Sequence, residues 1–118
     1  MLTIERHDIK KLEDYIKRIK EYRKEMRFVY FELQNDEIGN ASLKLKYEKL
    51  HNIVNGVDQL IKEADNDTKE IIRCRYWECP LGCYQWQDIA DHFGVSKTTI
   101  LRKRDAIIRR LATLIGYV

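Results

Sequence analysis

A run of basic side chains lies near the end of this 118-residue sequence. Between Ser96 and Arg110 there are six basic residues and a single acidic one, Asp105, which gives a local charge of +5. The whole chain carries only +3, and residues 1–66 sum to zero. Such a run either forms a solvated helix surface or binds a polyanion such as nucleic acid. Its basic members are Lys97, Arg102, Lys103, Arg104, Arg109 and Arg110.

The residues around the start of this run have the spacing of a helix-turn-helix motif. Counted from Trp86 as position one, there are apolar residues at positions four, eight, ten and fifteen, Ala at five and Gly at nine. Ala90 is small enough for two helices to cross closely, and Gly94 permits the positive φ of a tight turn. Ser96 is a residue type that caps helices. Since the second helix of this motif enters the major groove of DNA, the pattern predicts a basic recognition helix. The apolar positions are Ile89, Phe93, Val95 and Ile100.

The start of the predicted recognition helix carries side chains that suit DNA contact. Arg102 is the candidate for reading a base, because arginine binds guanine through two hydrogen bonds. Lys97 and Thr98 are placed to contact bases or phosphates. Ser96 and Thr99 lie beside the free N–H groups of the helix start and suit a phosphate.

The helix before the turn adds further candidates. Gln87 and the indole N–H of Trp86 begin this helix and can hold a phosphate, but Trp86 can equally pack on a helix predicted at 68–78. Arg109 lies too far along the recognition helix to reach bases, so phosphate contact or solubility explains it better. The complete set of candidate DNA-binding residues is Trp86, Gln87, Ser96, Lys97, Thr98, Thr99, Arg102, Lys103 and Arg109.

The sequence gives only weak support for metal binding, a disulfide or catalysis. Cys79 and Cys83 have a spacing that zinc accepts, with Cys74 or His92 as further ligands, but no second ligand pair has a conventional spacing. A disulfide between Cys79 and Cys83 is disfavoured in a reducing cytoplasm. The sequence contains neither a glycine-rich phosphate loop nor a nucleophile motif. We therefore predict no enzymatic activity, no cofactor and no metal site.

The first half of the chain must position this motif. Residues 8–33 contain neither Gly nor Pro and predict one long helix capped by Asp8, followed by a polar loop over 34–40. A second helix is predicted from about Ser42 to near Ala64, weakened by Gly56. Both helices have apolar residues at near-heptad steps, which indicates a coiled-coil-like antiparallel hairpin. The first seam comprises Ile9, Leu12, Ile16, Ile19, Tyr22, Met26, Tyr30 and Leu33.

This hairpin is expected to leave apolar side chains on its outer side. Phe28, Val29 and Phe31 lie outside the predicted seam. They can pack on the C-terminal part of the same chain or on a second copy. Because a 26-residue amphipathic helix is longer than so small a domain usually covers, we predict a homodimer or higher oligomer formed through the N-terminal helices.

The composition is typical of an all-α protein. One Pro and five Gly leave long helical segments uninterrupted, and 35% charged residues suit exposed helices. We predict a helical hairpin for self-association in residues 1–65. Residues 66–118 form the predicted helix-turn-helix domain, in which Asp67 caps the helix at 68–78. No apolar run is long enough to span a membrane, and the N-terminus lacks the apolar segment of a secretion signal, so we expect a cytoplasmic protein.

Residues 67–115 resemble region four of bacterial sigma factors. They resemble more closely the small sigma-like activators of phage late genes, the RinA/ArpU type. The resemblance implies a cytoplasmic DNA-binding protein that promotes transcription of a phage operon, with RNA polymerase as a partner. Lys103 stands where the pattern is usually apolar, which predicts either a wetter wall facing the first helix of the motif or pairing of Arg104 with Asp88 or Asp91. The matching residues are Arg75, Tyr76, Trp86, Ile89, Ala90, Val95, Ser96, Thr99, Ile100, Arg102, Ile108 and Leu111.

Two classes of function remain open from the sequence. The first is a sequence-specific transcription activator, and the second is a DNA-packaging protein of the small-terminase kind or a recombination accessory protein. Small terminases usually carry the DNA-binding motif before the oligomerisation part, whereas this chain has the reverse order. The order favours the activator, and a repressor would use the same fold.

Overall fold

The computed structural model describes residues 4–36, 39–80, 82 and 85–117 of the chain. All regular structure in these ranges is helical, which confirms the predicted all-α class. No helix within them is both long and apolar enough to cross a membrane. The six helices are α1 (Arg6–Lys17), α2 (Ile19–Gln34), α3 (Ala41–Glu63), α4 (Asn66–Ile72), α5 (Trp86–Phe93) and α6 (Lys97–Leu114).

The long helix predicted over residues 8–33 is divided in two. Its backbone is interrupted at Arg18, which has φ −105° and ψ 27°. The guanidinium of Arg18 spans the interruption, bonding to Asp14 on one side and Glu21 on the other. The predicted cap Asp8 is also wrong, because the first helix already begins at Arg6 after the extended residue Glu5. Asp8 lies inside that first turn, where its carboxylate accepts the Glu5 N–H at 3.1 Å.

The inner side of α2 differs from the predicted seam by one residue. Val29 is 1% exposed and packs inside, whereas Tyr30 is 51% exposed and lies beside Tyr47 of α3. The prediction that Val29 faces outward is therefore wrong. The other two outer residues, Phe28 and Phe31, are 64% and 66% exposed. α2 thus contacts α3 along one side and leaves two phenylalanines on another.

Gly56 lies in the middle of α3, where the sequence indicated a weak point. The helix continues through it, and the glycine is buried against the end of α6. A Cβ atom at this position would lie 2.1 Å from Cγ2 of Ile115. Glycine is therefore required by the close approach of the two helices, and this contact offsets its poor helix propensity.

The segment after α3 connects the C-terminal helices to α1. The cap of α4 is Asp65 rather than the predicted Asp67, because Asp65 is extended and its carboxylate accepts the Thr68 N–H at 2.8 Å. α4 continues as a π-helical stretch, Arg73–Trp77. In this stretch the Tyr76 hydroxyl donates to Glu13 at 2.5 Å, and the Trp77 indole donates to the backbone oxygen of Ile16 at 2.9 Å.

One hydrophobic core contains side chains from all six helices, with Ile19 as the contribution of α2. Leu12 and Ile16 of α1 share it with Val57, Ile72 and Leu111, each less than 2% exposed. The predicted boundary between residues 65 and 66 stays a prediction, although buried residues on both sides of it belong to this cluster. The core therefore fixes the position of α5 and α6 relative to α1 and α3.

Candidate nucleic-acid interface

The connection between α5 and α6 is a tight turn with defined geometry. Gly94 ends α5 in the left-handed conformation at φ 67°, as its position in the motif predicted. The next N–H group, that of Val95, bonds back to the Ala90 carbonyl at 3.0 Å, which closes the helix end. Ser96 then caps α6 by accepting the Thr99 N–H at 3.2 Å. The local signals of the sequence thus produce two helices that are joined by a short turn and held at a fixed relative orientation.

The apolar positions of the motif hold α5 against α6. Ile89, Ala90 and Ile100 are completely buried, and Phe93 and Val95 pack at the edge of the same core. Ala90 leaves room for the second helix because its side chain is a single methyl group. With this side of α6 buried, the opposite side is the part of the helix that solvent or a ligand can reach.

The outer face of α6 consists of Thr98, Arg102 and Arg109, all exposed. These residues are four and seven positions apart, so they lie on one side of a helix with 3.6 residues per turn. Lys97, also exposed, precedes them in the first turn. Within the part of the chain that the structure describes, neither Lys97 nor the two arginines of the outer face form an ion pair. Their charges are therefore available to an anionic partner.

Two further basic residues of α6, Arg104 and Arg110, are held by carboxylates. Arg110 bonds to Glu63 of α3 through two of its nitrogens. Arg104 donates to its neighbour Asp105 at 3.0 and 2.9 Å, so the expected pairing with Asp88 or Asp91 is wrong. Asp88 instead accepts the Gln85 backbone N–H, and Asp91 accepts the Gln87 side-chain amide. The single basic run of the sequence thus separates into bound and unbound cations.

The charge of Lys103 acts on Asp65, the residue that caps α4. Lys103 is exposed, and its charge contributes to a lowered pKa of the Asp65 carboxyl. The main cause of that lowered pKa is the hydrogen bond from the Thr68 backbone N–H, since it favours the carboxylate form. Lys103 therefore lies near enough to the anionic cap Asp65 for its charge to act on it.

The hydroxyl groups of Ser96 and Thr99 lie 3.0 Å apart at the start of α6. Both take part in the cap, so phosphate contact from them would add to this bond rather than replace it. A capped helix leaves the N–H groups of its first two residues without a helical partner, here Lys97 and Thr98. These two backbone donors, together with the Lys97 ammonium, give the helix start its anion-binding character.

Trp86 is half-buried between two arginines. The guanidinium carbon of Arg75 lies 5.1 Å from the Trp86 ring centroid, and that of Arg104 lies 5.8 Å away. The Tyr76 ring meets it edge-on at 6.2 Å. Trp86 thus packs on the π-helical stretch that follows α4, within the segment predicted as a helix at 68–78, which is one of the two alternatives that the sequence allowed. The arginine contacts are cation–π interactions, which hold both cations close to the indole.

Trp86, Gln87 and Lys97 line a shallow groove beside the start of α5, together with Arg75 and Gln85. The Gln87 amide donates to Asp91 at 3.0 Å. Asp88 accepts the Gln85 N–H at 3.3 Å and thereby caps α5. Sequence reasoning missed Arg75 as a groove residue. It lies eleven positions before Trp86 in the chain, and only its place in the resemblance pointed to it.

The cysteine and histidine residues do not assemble a metal site in the described ranges. No three His, Cys, Asp or Glu side chains come together there in a way that could hold an ion. Cys74 is buried near Glu70, and Cys79 is exposed. The zinc and disulfide alternatives also involve Cys83, which lies outside the described residues.

No protein-family model matches the chain, and neither a characterised protein nor a solved structure is significantly similar to it. Function must therefore be inferred from the chemistry of its own surface. On that surface the outer face of α6 presents long cationic side chains, next to the tight turn between α5 and α6, that no carboxylate of the described residues neutralises.

Proposed function

We propose that the chain is a sequence-specific transcriptional regulator that binds double-stranded DNA, with α5, the Gly94 turn and α6 acting as a helix-turn-helix. The function proposed is non-enzymatic. One observation carries the proposal: Lys97, Arg102 and Arg109 are exposed without ion pairs, while Arg104 and Arg110 are bound to carboxylates. Unneutralised cations on one side of a helix suit a polyanion better than they suit solvation alone.

The geometry gives each of these cations a role on DNA. Arg102 lies in the second turn of α6, the part that meets base edges in this motif, and we assign it to guanine recognition. Arg109 is seven residues further along, about 10 Å at 1.5 Å per residue, and is assigned to a phosphate. Lys97 and Thr98 are assigned to the phosphate nearest the helix start. Trp86 and Gln87 complete the interface from the side of α5.

The resemblance of residues 67–115 to RinA/ArpU-type proteins supports a more specific version. We propose an activator of a phage or prophage late operon, working in the bacterial cytoplasm with RNA polymerase as a partner. The tight turn at Gly94 and the buried Ala90 agree with the pattern that carries the resemblance. The sigma-like character stays an inference from sequence.

Selection from a random pool of duplex DNA with the purified full-length chain tests the DNA-binding proposal. We expect one enriched motif containing guanine, bound about 10³-fold more tightly than random DNA. Transcription with bacterial RNA polymerase on templates carrying that motif then tests the sign of regulation. A pool without enrichment would refute sequence-specific binding, and reduced transcription would indicate a repressor.

We also propose that the N-terminal helices form a hairpin that self-associates. Phe28 and Phe31 support this, since they lie three residues apart on α2 and are mostly exposed. Sedimentation of the wild type is expected to show a dimer or a small oligomer, and the Phe28→Ser, Phe31→Ser double variant a smaller species. Leu45→Ser is the matched control, because Leu45 is 67% exposed on α3. A monomeric wild type would refute the proposal, and a ring of many subunits would favour a packaging protein.

A further inference from the structure

A second groove lies at the junction of α1, α2, α3 and α4, on surfaces that include no residue of α5 or α6 among those described. Its volume is about 990 Å³, enough for several side chains. Apolar groups form much of its lining, with Ile19, Ile61, Tyr76 and Trp77 among them. Trp77 is 43% exposed, although its indole N–H is fixed to the Ile16 carbonyl. The groove therefore presents a large aromatic surface that is held rigidly in place.

The acidic side chains around this groove are all paired, whereas several of the basic ones pair with no described residue. Each carboxylate in its lining is bound to an arginine: Glu21 to Arg18, Asp58 to Arg23, and Glu78 to Arg73. Four lysines remain, and in the described ranges none of them forms an ion pair. The groove thus combines an apolar floor with an uncompensated positive rim. The rim lysines are Lys17, Lys20, Lys62 and Lys69.

We propose that this groove docks an acidic amphipathic helix of a partner protein. The apolar side of such a helix would cover Trp77 and its neighbours, and its carboxylates would meet the four rim lysines. Tryptophan anchors surrounded by a polar rim are typical of protein interfaces. Duplex DNA fits less well, because its backbone offers charge but no apolar side chain for the exposed indole. This inference goes beyond DNA binding and does not depend on it.

The π-helical stretch explains how the groove is built. It brings Tyr76 and Trp77, two consecutive large aromatic residues, into the same lining. Insertions of this kind are frequent at functional sites, because they re-aim side chains that an α-helix would spread around its axis. The interruption of the chain at Arg18 supplies the opposite wall, where Ile19 begins α2.

The test uses full-length protein carrying Trp86→Phe, so that Trp77 is the sole tryptophan. The probe is a synthetic peptide of about 18 residues with Leu and Phe at helical spacing and Glu elsewhere. We expect saturable binding with a change in Trp77 emission. A scrambled peptide of identical composition, and a version with Lys in place of Glu, are expected not to bind. Absence of saturation, or equal binding of the scrambled peptide, would overturn the proposal.

Charge reversals locate the binding surface. Lys20→Glu and Lys69→Glu are each expected to weaken peptide binding about fivefold, as for one surface charge contact. Lys44→Glu, on an exposed part of α3 outside the groove, is the matched control and is expected to change nothing. Because Trp77→Phe removes the fluorescent reporter, a labelled peptide measures its affinity. We expect this variant to bind the peptide about tenfold more weakly and to retain its helicity in circular dichroism. Equal losses in Lys44→Glu would refute the site.

Parallel DNA-binding measurements separate this inference from the proposed function. Lys20→Glu and Lys69→Glu are expected to leave affinity for the selected duplex unchanged, while Arg102→Ala leaves peptide binding unchanged. If the duplex displaced the peptide from Trp77, the groove would belong to a nucleic-acid surface and the peptide proposal would be wrong. Peptide binding without any DNA specificity would instead refute only the helix-turn-helix proposal.

Discussion

Basic side chains of α2 and of α6 differ in what they contact. On α2, Arg23 is bonded to Asp58 of α3, and Glu25 receives Lys46 at 3.4 Å, so charges there join two helices of the same chain. On the outer face of α6, Arg102 and Arg109 point away from the core without such partners among the described residues. Both helices are rich in arginine and lysine, but Arg23 of α2 is paired across to α3, whereas Arg102 and Arg109 form an outer face on α6 that is unpaired among the described residues.

This difference shows why total charge says little about binding. A net charge of +3 would suit almost any small protein. Binding depends instead on which basic side chains have no carboxylate partner in the folded chain. Paired surface cations contribute little to long-range attraction, because the neighbouring carboxylate cancels their field. Substituting a paired arginine and an unpaired arginine in parallel therefore tests this difference directly.

The largest expected effect is that of Arg102→Ala on binding to the selected duplex. Loss of a two-hydrogen-bond contact to guanine is expected to cost about 1–3 kcal/mol and to relax specificity at one base position. Arg23→Ala on α2 is the matched control, and its affinity should equal that of the wild type. Fluorescence anisotropy on duplexes with each base at that position measures both. An equal loss on every sequence would reassign Arg102 to a phosphate.

The two regions also differ in how far the sequence predicts them. The turn and both flanking helices were predictable, because each signal is local: Gly94 for a positive φ, Ser96 for a cap and the small Ala90 for close crossing. By contrast, no Gly or Pro marks the interruption at Arg18. A regular heptad pattern continued through it and placed Tyr30 inside instead of Val29.

The candidate site likewise has features that the local sequence predicts and others that depend on contacts between distant residues. Exposure of Arg102 and Arg109 follows from helical periodicity, so the sequence alone identified the outer face. The environment of Trp86 depends on Arg75, eleven positions earlier in the chain, and on Arg104 from the next helix. Pairing of Arg110 with Glu63 likewise joins distant parts of the chain. Contacts of this kind have no periodic signature, and only the fold reveals them.

A second prediction concerns the contact between Gly56 of α3 and Ile115 at the end of α6. Gly56→Ala places a methyl group against Ile115, and we expect a net destabilisation of about 1–2 kcal/mol, since overpacking outweighs the gain in helix propensity. Urea unfolding measures this change. Combining Gly56→Ala with Ile115→Ala should restore part of the loss relative to the two single variants. Strict additivity of the two changes would show that the helices do not meet there.

A third prediction follows from the tyrosines that bond to carboxylates of α1. Burial, together with the hydrogen bond to Asp14, raises the pKa of Tyr22 to about 12. The bond to Asp8 raises the pKa of Tyr117 to about 12. Because these values exceed 10.0, the folded state holds the protons more tightly than the unfolded one. Stability should therefore be complete below pH 10 and fall as the pH rises to about 12.

Phenylalanine variants separate these tyrosines from the general loss of lysine charge at high pH. Tyr22→Phe and Tyr117→Phe should each flatten the fall in unfolding free energy across that window. Tyr30→Phe is the control, since its hydroxyl has no hydrogen bond to any described residue. Urea titrations at a series of alkaline pH values give the slopes. Identical slopes in all three variants would mean that the two hydroxyl–carboxylate bonds do not stabilise the fold.

The smallest and sharpest test compares two adjacent arginines of α6. Arg109→Ala should weaken binding to all DNA sequences alike and reduce the slope of log affinity against log salt by about 1, as expected for a lost phosphate contact. Arg110→Ala should leave that slope unchanged, because Glu63 already neutralises this arginine, and should change stability little, because the pair is exposed to solvent. Equal salt slopes in both variants would mean that the Arg110–Glu63 pair opens on DNA. In that case pairing within the free protein would not decide which cations bind.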